Sequence, residues 1–297
     1  MPDGTLRITH ELNRSITVRA RSNGDEAFVP VVTFGCVPGE RPYLHPVHSP
    51  GGGPILTQFR PTDHPWQLGV FTALHEVNGV DYWTDDRDDP NCGTIRLDRV
   101  TDVELSPEGS TASWRAISGW YTPAGDRHVT ETHVWTVRRH AGSYYAIDLQ
   151  WTLRAECDVE IGRYDYGGLA FRPVTHESRL HLNSNGETGT ETSETRAAWC
   201  DVSSPYDGPR PWTRKEKLSG TWHGITIFDH PQNFSYPSPW RVDYKGLINP
   251  SPSLAGDWSI AEGDETTLVY RLIVHRDKAD ADSLAHLHEE FAEEERF

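Results

Sequence analysis

The segment Arg41–Trp83, which reads RPYLHPVHSPGGGPILTQFRPTDHPWQLGVFTALHEVNGVDYW, supplies the first candidates for chemistry. They are His45, His48, Asp63 and His64. A second segment, Ile225–Asn249, carries another Asp-His-Pro unit at Asp229, His230 and Pro231. Imidazoles beside carboxylates, in stretches stiffened by proline and accompanied by tryptophan, suit acid–base chemistry or metal ligation on a polyhydroxylated substrate. Residue types alone leave both open.

The spacing refines these candidates. His45 and His48 are three apart, so an extended strand sends them to opposite faces, and only a turn at Pro46 brings both to one site. Asp63 and His64 are neighbours, an arrangement that predicts one side chain reaching the site while the other caps a turn. His230 directly follows an apolar run, and strand ends hold functional groups rigidly. His64 and His230 are therefore the candidate acid–base residues, with His45, His48, Asp63 and Asp229 as candidate substrate contacts. Glu131 and His133, two apart, share one face of a strand. They are a possible carboxylate–imidazole pair, set against a plain solvated strand face. Arg172 ends the run Gly167-Gly-Leu-Ala-Phe-Arg172, where a guanidinium can hold a substrate oxygen or a developing enolate, or form a structural salt bridge. Most of the 11 tryptophans must be core. Trp66 and Trp240 are the candidates for stacking on a sugar ring. His45, His48, His64 and His230 with a carboxylate are a possible nitrogen–oxygen site for a divalent ion, without a diagnostic spacing.

The elements that must position these groups are strands. In Glu131–Val137 and Tyr145–Leu153 apolar residues alternate with polar ones, a hairpin joined through residues 139–143. Further runs at Val29–Phe34, Thr94–Leu105, Ala112–Trp120, Gly168–Arg172, Gly224–Phe228 and Thr266–His275 read the same way. Asn-Gly at Asn78 and Asn185, Pro-Glu-Gly at Pro107 and Ala-Gly-Asp at Ala124 punctuate them as turns. Only the C-terminus is helical in pattern: Leu284, Leu287 and Phe291 make one apolar stripe in a helix predicted from about 282 to 295. The expected fold is all-β, a large antiparallel sandwich with a short C-terminal helix, in a single domain over residues 1–297. Residues 180 to 223 are expected to be loops covering one end.

Composition removes several classes. A net charge of −16 disfavours nucleic acid and anionic membranes as partners. The four cysteines are far apart, with no CxxC. Gly51–Gly53 lacks the Gly-Lys-Ser/Thr of a phosphate loop, and neither G-x-S-x-G nor H-E-x-x-H occurs. No stretch approaches the roughly 18 apolar residues of a membrane helix. The N-terminal sequence has no signal-peptide run, so the expected location is cytoplasmic.

Five ordered blocks give a resemblance. They are Arg41-Pro-Tyr-Leu-His45-Pro, Asp63-His64-Pro65, Val77-Asn-Gly-Val-Asp81-Tyr-Trp83, Gly167–Arg172, and Phe228-Asp-His-Pro-Gln-Asn233 with Pro239-Trp240. Together they resemble the bacterial family of unknown function DUF6807, whose members often carry the label methane oxygenase PmoA. A chain without a membrane-spanning run does not fit a membrane-embedded oxygenase, so that label is set aside. Family members usually show Asp-His-Pro-His-His-Arg-Gly. Here the corresponding stretch is Asp63-His64-Pro65-Trp66-Gln67-Leu68-Gly69, with two imidazoles and an arginine replaced. The resemblance implies a galactose-mutarotase-like sandwich and a sugar or glycoside ligand. It also implies a place in sugar catabolism beside an NAD-dependent sugar dehydrogenase. The expected activity is acid–base chemistry on a sugar, above all β-elimination of an oxidised (3-keto) glycoside. His64 and His230 would act as acid and base, with Arg172 and His45 as electrophilic groups. An aldose-1-epimerase-like mutarotase, with Glu131 or Asp229 as base, and a non-catalytic sugar-binding protein are the alternatives.

Overall fold

A computed structural model describes residues 4–21, 26–139, 143–175, 178–206 and 221–294. The strands in chain order are β1 (Thr5–Glu11), β2 (Ser15–Arg21), β3 (Val29–Gly35), β4 (Tyr43–Val47), β5 (Val70–Ala73), β6 (Thr94–Leu105), β7 (Thr111–Tyr121), β8 (Arg127–Arg139) and β9 (Tyr144–Ala155). They continue with β10 (Val159–Ile161), β11 (Gly168–Phe171), β12 (Leu180–Asn183), β13 (Trp199–Pro205), β14 (Trp222–Asp229), β15 (Trp240–Val242), β16 (Ile248–Pro250), β17 (Trp258–Ile260) and β18 (Glu265–Arg276). Two helices, α1 (Pro252–Ala255) and α2 (Ala281–Ala292), complete the set used below.

Two antiparallel eight-stranded sheets face each other. Sheet one runs β1-β2-β3-β4-β5-β11-β16-β15, and sheet two runs β12-β13-β14-β18-β9-β8-β7-β6. A two-stranded pair, β10–β17, lies outside them. The antiparallel sandwich expected from period-two patterning, with its short C-terminal helix, is what forms. In β9 the side chains of Tyr145, Ile147, Leu149, Trp151 and Leu153 all enter the inter-sheet core. Trp114, Trp120 and Trp135 join them, and Phe34 of sheet one meets Trp114 at 5.5 Å between ring centroids. Burying such rings is the main favourable term of the fold. The Asn78-Gly79 turn has positive φ at both residues (51° and 77°), the two-residue geometry that favours this dipeptide.

The C-terminal stripe packs as its spacing predicts. Leu284 and Phe291 of α2 bury against Trp199, Phe228, Val269 and Ile273, on the outer face of sheet two. Asp280 caps the helix by accepting from the Ser283 N–H at 3.0 Å. The helix ends at Ala292, and residue 295 lies outside the described residues.

One expectation is corrected. Residues 180–206, read as loop, contain β12 and β13, which pair with each other and join β14. Buried polar groups on both faces, such as Asn183, Asp201 and Ser203, hide the alternation there. Residues 207–220 of that stretch, and 140–142 of the β8–β9 connector, lie outside the described residues. All four cysteines are free, and no helix among the described residues is long and apolar enough to cross a membrane.

Candidate functional site

The loop 60–67 turns on itself, with the His64 N–H donating to Pro61 O and the Gln67 N–H to His64 O, both at 3.0 Å. A bridge between Phe59 and Leu68 closes its neck. Because the backbone turns here, the neighbours Asp63 and His64 come together instead of diverging. His64 Nδ1 lies 2.9 Å from Asp63 Oδ2. The expectation that only one of them reaches the site is therefore corrected.

Two cations approach the same oxygen. The Lys245 ammonium pairs with Asp63 Oδ2, and Arg172 Nη2 stands 3.7 Å from it. Arg172 follows β11 and is buried, donating from Nη1 to Gln67 Oε1 (2.9 Å) and from Nε to Gln58 Oε1 (3.3 Å). Lys245 sits in the turn between β15 and β16. Asp243 Oδ1 braces that turn by accepting from the N–H groups of Lys245 (2.8 Å) and Leu247 (3.0 Å). Gly246 has φ +96°, and a Cβ there would lie 2.6 Å from Arg179 Nε, so both backbone and space require glycine. Arg179, just before β12, donates to Tyr244 O at 2.7 Å. The site therefore draws on both sheets: Asp63, His64, Arg172 and Lys245 from sheet one, Arg179 from the edge of sheet two.

Burial and the Arg172 charge lower the His64 pKa, against a smaller upward pull from Asp243. Burial likewise depresses Arg172 and Arg179, with the Arg172 charge adding to the effect on Arg179. His181 on β12, held at about 4 by burial and by Arg179, stands behind them. Trp66 meets the His64 ring edge-on at 5.2 Å. Tyr244, 82% exposed, offers an open ring beside Lys245.

The other candidates have different surroundings. Leu44 and Val47 both point inward although three apart, so the alternation slips at Pro46 and leaves His45 and His48 on the outward side. His45 bonds Thr57 Oγ1 at 2.8 Å and stacks on Phe59, and burial holds its pKa at about 4. His48 pairs with Gly53 O at 3.2 Å.

Glu131 and His133 are neither solvated nor open to a ligand. Both are enclosed between the sheets, 0% and 2% exposed. Glu131 Oε1 accepts from Thr72 Oγ1 and Trp151 Nε1, each at 2.7 Å, and lies 3.1 Å from His133 Nε2.

The second Asp-His-Pro unit is also buried. Asp229 accepts from Asn233 Nδ2 (2.7 Å) and the Ser238 N–H (2.8 Å), while burial pushes its pKa up to about 6. His230 sits edge-on to Phe291 of α2 at 4.9 Å, and His288 donates to Asp229 O at 3.0 Å. These residues fasten α2 to the sheet and do not join the Asp63–His64 group. Trp240 is fully buried and donates to Ala197 O at 2.8 Å, so no ring face is open for a sugar. Among the described residues no group of three His, Cys, Asp or Glu side chains is placed to hold a metal ion.

Lys245, Asp243 and Arg179 escaped the sequence reading. The signal for the first two was present in Asp243-Tyr-Lys-Gly-Leu247, an Asx-braced glycine turn between two short apolar runs. Arg179 had no signal, being an ordinary arginine before a short edge strand.

No curated protein matches the chain. Its backbone is similar to that of a GalM/aldose epimerase homologue from C. elegans, with 9% identity and a TM-score of 0.38, covering 93% of this chain and 100% of that one. It is also similar to the alpha-galactosidase from Lactobacillus brevis, with 10% identity and a TM-score of 0.31, covering 98% of this chain and 43% of that one. At these scores neither likeness bears on the chemistry of the site. The sequence blocks quoted above do find their family: its model matches residues 37–289, and the chain belongs to the family of unknown function DUF6807.

Proposed function

We propose that this chain moves a proton on a sugar, removing the hydrogen next to the carbonyl of an oxidised (3-keto) glycoside and expelling the anomeric substituent by β-elimination. The observation that supports this reading is the meeting of His64, Lys245 and Arg172 at one oxygen of Asp63. A general base needs an unprotonated nitrogen at neutral pH, and the lowered pKa of His64 supplies one. With the Nδ1 hydrogen directed to Asp63, Nε2 is the basic atom.

The step balances without an added reactant. The C2 proton passes to His64 Nε2 while the C–H electron pair forms the enolate of the 3-keto group. Lys245 and the Arg172 guanidinium stabilise the oxyanion. The carbonyl then re-forms, a C1–C2 double bond develops, the C1–O bond breaks, and the imidazolium returns its proton to the departing oxygen. Tyr244 and Trp66 offer ring faces to the pyranose.

The test is proton NMR in D2O with a 3-keto-glucoside. Deuterium at C2 or release of the aglycone is expected. His64→Ala should lower the rate by roughly 100-fold or more with little change in KM. Full turnover by a folded His64→Ala protein would remove His64 as the base. Anomer interconversion of a plain aldose without C2 exchange would favour a mutarotase instead.

A further inference from the structure

The chain as a whole carries a net charge of −16, yet the rim around Asp63 is locally cationic. Arg172, Arg179 and Lys245 face two carboxylates there, Asp63 and Asp243. Neither carboxylate saturates them. Asp243 Oδ1 is engaged by the backbone of its own turn. Asp63 offers a single oxygen to His64, Lys245 and Arg172, and Arg172 remains 3.7 Å away, beyond hydrogen-bond distance. Arg179 uses Nη2 on Tyr244 O, while its Nε and Nη1 are buried with no acceptor among the described residues. The Arg172 charge disfavours that of Arg179. A half-buried cluster of like charges costs free energy unless an anion completes it, and its field is stronger where water is excluded.

We infer that the ligand of this site is a sugar acid, a polyol bearing a carboxylate or phosphate group. The acid group would sit against the Lys245 ammonium, with Arg172 and Arg179 behind it supplying field rather than direct contact. Tyr244, exposed beside Lys245, would cover the sugar ring. This inference rests on the proposed function for the location of the sugar, but not for the proton chemistry. An acid group at this point also selects substrate, because a neutral glycoside leaves the cations uncompensated.

The test is calorimetric binding of glucuronate, glucose 6-phosphate and glucose to the whole chain, at low salt and at roughly 0.5 M salt, where screening shortens to a few ångströms. At least one acid should bind about tenfold or more tightly than glucose, a margin of about 1.4 kcal/mol. High salt should shrink that margin, and Lys245→Gln should remove most of it; circular dichroism verifies that the variant is folded. Preference for glucuronate assigns a carboxylate, and preference for glucose 6-phosphate assigns a phosphate. Equal affinity for glucose and both acids, or a margin indifferent to salt and to Lys245→Gln, overturns the inference. C2 exchange of a keto-glucoside, measured on the same samples, separates the two ideas. Exchange without acid preference overturns the sugar-acid ligand and leaves the proton chemistry standing. Acid preference without exchange does the reverse.

Discussion

Replacing Glu131 tests whether the interior carboxylate is structural. Its Oε1 atom accepts from Thr72 Oγ1 and Trp151 Nε1 at 2.7 Å each and faces His133 Nε2 at 3.1 Å, with no exposed surface. Glu131→Ala leaves Thr72 Oγ1 and Trp151 Nε1 without their acceptor in a place water does not reach, while His133 Nε2 keeps Thr72 Oγ1 at 2.9 Å. An orphaned buried donor costs about 1–3 kcal/mol. Against the sum stands the relief of no longer burying a charge, so the range for a broken buried pair, about 3–5 kcal/mol, is the better guide. We expect a loss of about 4 kcal/mol. Glu131→Gln keeps an oxygen for Thr72 and Trp151 but forfeits the charge opposite His133, and should lose about half as much. The assay is urea unfolding followed by tryptophan fluorescence, with turnover normalised to folded protein. Turnover per folded molecule should be unchanged in Glu131→Gln. A Glu131→Ala stability within about 1 kcal/mol of the parent would refute the energetic argument. Lost turnover in a folded Glu131→Gln protein would refute the location of the chemistry.

Asp229 gives a pH dependence with a definite sign. Its carboxyl moves from 3.8 to about 6 in the fold, so between these values the folded protein holds a proton that the unfolded chain releases. Stability should therefore fall as pH rises from about 4 to 6, by about 3 kcal/mol at most, and then level. Comparing chemical unfolding of the parent and Asp229→Asn across this range isolates the contribution; identical slopes would contradict it. Asp148 is buried and accepts from Arg271 Nε (2.6 Å) and Nη2 (3.0 Å), and Arg138 Nε adds a further bond at 2.7 Å. Asp148→Ala should cost about 3–5 kcal/mol in urea unfolding, and a cost below about 1 kcal/mol would show the pair to be dispensable. Phe291→Ala should cost about 3–5 kcal/mol and speed proteolysis within α2, whereas unchanged cleavage would mean that Phe291 does not hold the helix.

The period-two pattern revealed most of the fold because long strands with one buried face have little choice of register. β8 and β9 are legible from Trp135, Trp151 and their alternating neighbours. β12 and β13 are not, because their buried positions include the polar residues Asn183, Asp201 and Ser203. His275 Nε2 lies 2.9 Å from Asp201 Oδ1. The two Asp-His-Pro units show the same limit at the site. Identical tripeptides end in opposite environments: Asp63-His64 on an open turn, and Asp229-His230 sealed beneath Phe291 and His288. What decides between them is the packing of a helix more than fifty residues further on. Arg179 was invisible for the complementary reason. An isolated basic residue at an edge strand is common on any surface, and only its approach to Tyr244 and Arg172 distinguishes it.

The placement of α2 has a consequence for how the chain comes into being. Every strand precedes it in the sequence, yet Phe228, Val269 and Ile273 on the outer face of sheet two are covered by it. During synthesis from the N-terminus, the sheet cannot close before its central strand β18 has emerged, and α2 follows that strand almost at once. At about 5–20 residues per second the helix arrives within a few seconds of the strand that it covers, so the apolar face is completed and capped nearly together.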